Sequence, residues 1–382
     1  MPKADVCIVG AGPAGLSVAG FIGLQDTVVF EEHARPGIPL HCSSLIGVET
    51  ARLVRSLVGS VFDASYKRVY FNVFNRFFEV SYKESFIFHV ARPELEERLA
   101  ELVERRGHRI LYKAQAKPGG VNSILAGGGE YKCSMIVVAE GAVGRFKRSL
   151  LNSNPRFITG IQSRVRVENI DTDSVYVSYG DLTPGFFSWI IPLDKDTALI
   201  GGGFNRVEPG LLDKTIKHAA RVFGVKIGGR VETFGGVIPR SKPLSNPVYA
   251  GRIVFHGDSV PLVKPYTGGG LHYIFKLSKP LAESIDRGDI GGYVKAYRGA
   301  AVKLVLEYSL SELARRLATG IPVFFAAGLS RLGLFNPLDY DEHYMLALKS
   351  TVLALTGILP LTLVFNPGLN PVEVVHAART PG

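Results

Sequence analysis

The residues best suited to chemistry stand at the start of the chain. Gly10-Ala11-Gly12-Pro13-Ala14-Gly15 follows the apolar run Val6-Cys7-Ile8-Val9 and precedes a stretch of helical character from Leu16 to Ile22. Glycines at this spacing allow a tight turn, close approach of backbone to a pyrophosphate, and close packing of helix on strand. The pyrophosphate charge then rests on the helix N-terminus, beside Pro13 and Ala14. A second buried run, Thr27-Val28-Val29-Phe30, ends in Glu31-Glu32. This is about twenty residues on, where a carboxylate can accept hydrogen bonds from a ribose diol. Glu31 is the preferred candidate, Glu32 the other.

NAD and FAD sites share this fingerprint, so a second signal has to separate them. It lies at Ile253-Val254-Phe255-His256-Gly257-Asp258, followed by Pro265-Tyr266-Thr267-Gly268-Gly269-Gly270. A strand ends at an aspartate and a glycine-rich helix start follows. Asp258, next to Gly257, is placed to bind ribityl hydroxyls. The amides of Gly268, Gly269 and Gly270, in the loop that begins at Pro265, would face the pyrimidine edge of a flavin, where their dipole favours the anionic reduced ring. The expected cofactor is FAD. With one dinucleotide fingerprint in the sequence, no second domain of that kind is expected to hold a nicotinamide permanently. Electrons are expected from transient NAD(P)H or from a small electron-carrier protein such as reduced ferredoxin. Tyr266 is a candidate acid beside the flavin edge, with packing as its plainer role, and His256 and His272 read as structural.

These segments must be held by a larger frame. The first strand, helix and second strand form a β-α-β unit. From Lys67 to Val90 the pattern changes to aromatic and β-branched alternation, with a turn at Asn75-Arg76, and this predicts part of a second, antiparallel sheet. Helical spacing follows from Arg92 to Arg106, and Met135-Ile136-Val137-Val138 reads as another parallel-type strand. Turns at Asp181–Gly185 and Leu193–Asp196 separate strands centred near Val177, Trp189 and Leu199, an antiparallel meander. Ile253-Val254-Phe255 returns to the first sheet, so the chain weaves between two sheets. Helical signals dominate beyond Gly291. The apolar stretch from Ser350 to Phe365 carries Pro360 and is too short to span a bilayer comfortably. It reads as a buried helix, an in-plane membrane contact or a subunit interface.

Composition narrows the class. The net charge of +10 is spread in short groups such as Arg105-Arg106 and Arg145-Phe146-Lys147-Arg148, which read as solvated surface. No nucleic-acid-binding motif accompanies them, so nucleic acid is not an expected partner. The three cysteines, Cys7, Cys42 and Cys133, are widely spaced, which argues against a disulfide framework, a zinc site or any other metal centre. A cytoplasmic, reducing setting is expected, since Asp5 interrupts the only leader-like run. Few Gln, Met and Cys hint at a thermophilic source.

In this order the motifs resemble those of the geranylgeranyl reductase family of flavoproteins, archaeal in type, within the wider p-hydroxybenzoate hydroxylase-like fold. The resemblance runs to about Gly291. It implies an α/β Rossmann-like FAD-binding domain (1–66, 86–155 and 250–291), with an inserted antiparallel-sheet, α+β substrate domain (67–85 and 156–249) and a helical C-terminal region (292–382). Arg92 resembles the arginine that contacts the flavin cofactor. Ala139-Glu140-Gly141-Ala142-Val143-Gly144-Arg145 is similar to the family's Ala-Asp-Gly-x-x-Ser-x-x-Arg segment, with Glu140 for Asp and Gly144 for Ser, and puts Gly141 at the cofactor. Phe187-Ser188-Trp189-Ile190-Ile191-Pro192 resembles the aromatic-x-Trp-x-aromatic-Pro motif that lines the lipid cavity, with Ile191 for the second aromatic. Gly235–Pro239 also matches a family element. Cys42 resembles a cysteine on a loop near the flavin, with Ser43 where the family has glycine, and this makes His41 and Cys42 candidates for catalysis. Read from the residues alone, Phe186, Phe187 and Trp189 offer an apolar surface, with Phe187 and Trp189 sharing a strand face.

The expected activity is saturation of carbon-carbon double bonds in geranylgeranyl chains of an isoprenoid lipid, with hydride from reduced FAD and a proton from a nearby acid. Peripheral contact with the inner face of the membrane is expected to accompany it. The alternative enzyme is an FAD-dependent monooxygenase or halogenase of the same fold acting on a hydrophobic substrate. A lipid carrier with a vestigial flavin site is the non-catalytic alternative.

Overall fold

The structure, a computed structural model, describes residues 2–73, 75–152, 156–317, 328–330, 333–346 and 349. Strand β1 (Lys3–Val9), helix α1 (Pro13–Phe21) and strand β2 (Thr27–Phe30) form the β-α-β unit. Next come β3 (Leu45–Gly47), α2 (Val48–Val58), β4 (Phe62–Tyr66), β5 (Arg68–Val73), β6 (Arg76–Ser81), β7 (Ile87–Val90) and α3 (Arg92–Arg105). The chain continues through β8 (Arg109–Leu111), β9 (Lys117–Gly120), β10 (Ser123–Ala126), β11 (Gly129–Val138) and α4 (Arg145–Leu151). The long meander holds β12 (Phe157–Glu168), β13 (Ser174–Tyr179), β14 (Ser188–Pro192), β15 (Thr197–Phe204), α5 (Leu211–Phe223) and β16 (Lys226–Pro239). Strands β17 (Val248–Tyr249) and β18 (Ile253–Phe255) lead back, and α6 (Leu271–Asp286) and α7 (Gly291–Leu317) follow.

The first sheet runs β17-β18-β11-β1-β2-β8, and β1 lies parallel to both β2 and β11. Its central strands are apolar almost without interruption, as strands buried on both faces are. Ile253 pairs with Ile136, so β18 docks parallel to β11 as its sequence predicts. The second sheet runs β16-β12-β15-β14-β13-β5-β6. The β13–β15 meander and the turn at Asn75-Arg76 agree with the sequence reading, and Asn75 takes up a positive φ of 65° there. Ile87–Val90 departs from it: this segment leaves the second sheet and pairs with β3 and β4 in a small third sheet. Its alternation matches either sheet, and only the partners decide.

Side chains on β14 divide between two cores, as a period of two requires. Trp189 and Ile191 join one cluster with Phe186 and Leu199, while Ile190 joins Tyr176, Ile200 and the α5 residues Ile216, Ala219, Ala220 and Phe223. Helix α5 therefore seals one face of the second sheet, with Phe223 alone contributing about 2 kcal/mol of burial. The opposite face is turned to the segments that carry the glycine motifs.

Two expectations are corrected. Cys7 and Cys133, read as unpaired, form a disulfide whose Cα atoms are 5.8 Å apart. They lie on the neighbouring strands β1 and β11, a proximity that spacing along the chain cannot reveal. Lys147, read with its neighbours as solvated surface, is buried. Among the described residues no helix is long and apolar enough to cross a membrane. The apolar stretch from Ser350 to Phe365 lies outside the described residues.

Candidate active site

Both glycine segments meet at the C-terminal edge of the first sheet. Gly10 adopts φ +101°, and a Cβ there would lie 2.5 Å from the Ala139 carbonyl oxygen. At Gly15 a Cβ would lie 1.9 Å from the carbonyl oxygen of Gly10, so helix and strand approach as only glycine permits. Gly12 differs: no atom lies within 4 Å of its Cβ position. Gly12 is also the N-cap of α1, with Pro13 beginning the helix, so the helix N-terminus faces open space of the kind a pyrophosphate fills. Gly141, at φ +77°, is open in the same way.

Glu31 ends β2 and is buried. It accepts hydrogen bonds from Ala11 N and His33 N, both at 2.8 Å, and its Oε1 lies 2.7 Å from His33 Nδ1. The carboxylate is thereby pinned against the glycine loop. Glu32 points to solvent, where Gln115 and Arg145 bond to it, and the Gln115 bond leads in holding its pKa below the ordinary value. Of the two carboxylates only Glu31 bonds to the glycine loop.

The second segment locks onto the first. Gly257 has φ +67°, and a Cβ on it would fall 2.8 Å from the Cβ of Ala14. The next residue, Asp258, is partly exposed, and loss of solvation raises its pKa to about 6 against the opposing charges of Arg92 and Lys147. A Cβ on Gly270, the N-cap of α6, would sit 2.9 Å from Asp258 Oδ1. His256 is buried between Ser278 and Tyr293, and burial lowers its pKa to about 4. His272 Nδ1 lies 2.9 Å from Thr50 Oγ1, while its buried Nε2 has no hydrogen-bond partner among the described residues and lies 3.6 Å from Glu342 Oε1.

Arg92 begins α3, and its Nε donates to Glu96 Oε1 at 2.8 Å. Burial works against its charge, and Glu96, Cys42 and Asp258 outweigh that effect. Cys42 is exposed, is not in a disulfide, and accepts from Ser44 N at 3.3 Å. His41, also exposed, has Nδ1 3.0 Å from the carbonyl oxygen of Gly235, which pins the loop to β16. The loop of the two catalytic candidates therefore bridges the first sheet's cleft and the second sheet.

Gly268, with φ +74°, presses on that second sheet. A Cβ there would lie 3.0 Å from Ile238 and 3.4 Å from Phe186. Phe186 and Phe187 stack with centroids 4.3 Å apart, and Phe187 meets Trp189 edge-on at 5.8 Å. Trp189 donates its Nε1 hydrogen to Gln162 Oε1 at 2.8 Å, which satisfies the indole in its buried setting. Pro192, at the end of β14, is buried, and its carbonyl accepts from Tyr66 OH at 2.6 Å. Tyr266 is half-buried near Pro265, and desolvation raises its pKa to about 12.

Two parts of the cleft were not legible. Glu140 accepts from Phe146 N at 2.9 Å and Lys147 N at 3.2 Å, so the carboxylate caps α4. That cap carries Lys147 inward beside Glu140 and Asp258, where burial lowers its pKa against their opposing pull. The signal was present as a basic residue seven positions after Glu140, one helical turn inside the cap.

Comparison with known proteins agrees with this geometry. No family model matches the chain. The digeranylgeranylglycerophospholipid reductase of Thermoplasma volcanium is 24% identical over 334 residues, covering 75% of this chain and 80% of that protein. A geranylgeranyl bacteriochlorophyll reductase-like protein from Thermoplasma acidophilum superposes with a TM-score of 0.70 at 16% identity, over 86% of this chain and 92% of that one. The halogenase PltM superposes with a TM-score of 0.68 at 13% identity, over 98% and 86%.

The fold and the cleft define an oxidoreductase of the Rossmann-like, FAD-binding class. Within that class the chain is similar to proteins named digeranylgeranylglycerophospholipid reductase and to a geranylgeranyl bacteriochlorophyll reductase-like structure.

Proposed function

We propose that this protein is an FAD-dependent reductase that saturates carbon-carbon double bonds in the geranylgeranyl chains of a lipid. The observation that carries the reading is the contact of the Gly268 loop with Ile238 and Phe186, which puts an apolar wall directly against the loop assigned to the flavin. A reductase of a geranylgeranyl lipid among the relatives supports the substrate class.

In this reading the residues of the first sheet hold FAD and those of the second shape the lipid chamber. Gly10, Gly12, Gly15 and the α1 N-terminus receive the pyrophosphate, Glu31 the ribose, and Asp258 the ribityl chain, with Arg92 and Gly141 alongside. Saturation needs one hydride and one proton, and bound FAD supplies the hydride. Cys42 holds the proton at Sγ, with His41 and Tyr266 as the neighbouring candidates. Phe186, Phe187 and Trp189 form the apolar side that orients the chain and keeps water from the reacting carbons. Electrons arrive from NAD(P)H or from a reduced ferredoxin, and the lipid is taken up by peripheral contact with a membrane surface.

The test is anaerobic. Chemically reduced holoprotein is mixed with a geranylgeranyl lipid, and the lipid mass is expected to rise by two hydrogens per double bond. Unchanged lipid mass would sink the proposal. Oxygen-dependent mass gain would favour a monooxygenase or halogenase instead.

A further inference from the structure

Beside the 265–270 loop lies a cluster of buried polar groups, most of which the proposed reaction does not use. Glu307, on α7, is fully buried. Its Oε1 accepts from Tyr344 N at 2.8 Å, and its Oε2 has no hydrogen-bond partner among the described residues. Thr267 Oγ1, Tyr273 OH and His343 Nδ1 are buried and unpartnered in the same sense. Lys264 is buried beside them, its Nζ donating to the Tyr340 carbonyl at 2.8 Å and lying 4.8 Å from that residue's ring centroid. A Cβ on Gly269 would lie 3.6 Å from Lys264 Nζ and 3.7 Å from Thr267 Oγ1, so this polar group touches the back of the flavin loop.

The groups around Glu307 come from every neighbouring element. Lys264 and Tyr266 belong to the loop, Tyr273 to α6, Lys303 to α7 itself, and Glu342, His343 and Tyr344 to the segment after Tyr340. Asp341 acts in turn on Lys264. Burial leads in raising the Glu307 pKa to about 7, opposed by Lys264, and the same desolvation lowers that of Lys264. A buried lysine and a buried carboxyl that act on each other's charge titrate together and answer together to any new charge. A negative charge arriving on the other side of the loop would disfavour the carboxylate, so the pocket would bind a proton.

We propose that Glu307, whose buried carboxyl keeps one oxygen unpartnered among the described residues, takes up one proton when the bound cofactor is reduced and returns it when the electrons leave. Two electrons from the donor then enter with two protons: one on the flavin ring, which becomes the anionic reduced form, and one on Glu307. The pocket thereby cancels the charge that reduction adds. This inference rests on the assignment of the flavin to the 265–270 loop, but it needs no lipid.

The experiment is spectroelectrochemical titration of the FAD-loaded full chain at several pH values, without lipid. Between about pH 7.5 and 8.5 the wild type is expected to take up close to two protons per two electrons, and Glu307→Gln one. Each proton contributes about 30 mV of midpoint shift per tenfold change in proton activity. Redox-difference infrared spectra are expected to gain a protonated-carboxyl band in the wild type that Glu307→Gln lacks. A wild-type slope of one proton overturns the proposal without recourse to any variant, and so does an unchanged slope in Glu307→Gln. If the lipid assay fails while the two-proton slope stands, only the substrate reading falls. A chain that takes up no FAD overturns both.

Discussion

Gly257 and Ala14 are packed so closely that a Cβ on the glycine would lie 2.8 Å from the alanine's methyl carbon. This contact fastens the turn that carries Asp258 to the helix whose N-terminus faces the pyrophosphate position. It brings the two ends of the first sheet's sequence into one cleft. Gly257→Ala adds both a steric conflict and a strained positive φ, and should destabilise the protein by about 2–4 kcal/mol. Gly12→Trp should leave the melting temperature of the cofactor-free protein nearly unchanged, because the space beside Gly12 is open. It should nevertheless abolish the yellow colour. Calorimetry with absorbance at the flavin band reads both, and a yellow Gly12→Trp protein would contradict the pyrophosphate position.

Asp258 gives the cofactor-free protein a pH dependence. Its pKa in the folded state is raised to about 6, so the folded state binds that proton more tightly than the unfolded chain does. The associated stability is fully present below the unfolded pKa, near 4, and is lost as pH rises through about 6. Allowing for partial exposure, we expect about 1–2 kcal/mol. Asp258→Asn should remove that part of the stability-versus-pH curve and weaken FAD binding at the same time. Denaturant melts at about pH 4.5 and pH 8 check the first point, and a curve unchanged by the substitution would refute it.

The Cys7–Cys133 bridge should be visible by mass. Alkylation of the denatured, unreduced protein should modify Cys42 alone, and all three cysteines after reduction. The bridge closes a long loop, with a sequence separation of 126. The double variant Cys7→Ala/Cys133→Ala should therefore lose about 3–5 kcal/mol in the chain-entropy account. Three modified cysteines without reduction would disprove the bond.

Cys42 is exposed and acts on the charge of both Arg92 and Tyr340. If it delivers the proton, Cys42→Ala should retain FAD and accept electrons at the wild-type rate, yet form saturated lipid about 100-fold more slowly. Stopped-flow separates the two half-reactions. Equal slowing of both would assign Cys42 to cofactor placement instead.

Much of this protein was written locally. The β-α-β unit, the glycine spacing, the strand just before Asp258 and the alternation on β14 each depend on residues close in sequence. Turn chemistry and a two- or 3.6-residue period are enough to specify them. What needed the tertiary structure were partners chosen across the chain. Cys7 and Cys133 bond because β1 and β11 are neighbours, Ile87–Val90 joins a third sheet because β3 and β4 flank it, and Lys147 is buried because Glu140 caps its helix. The pocket around Glu307 and Lys264 has no local signature at all, since a buried charge is defined by what surrounds it and its surroundings come from four separate segments.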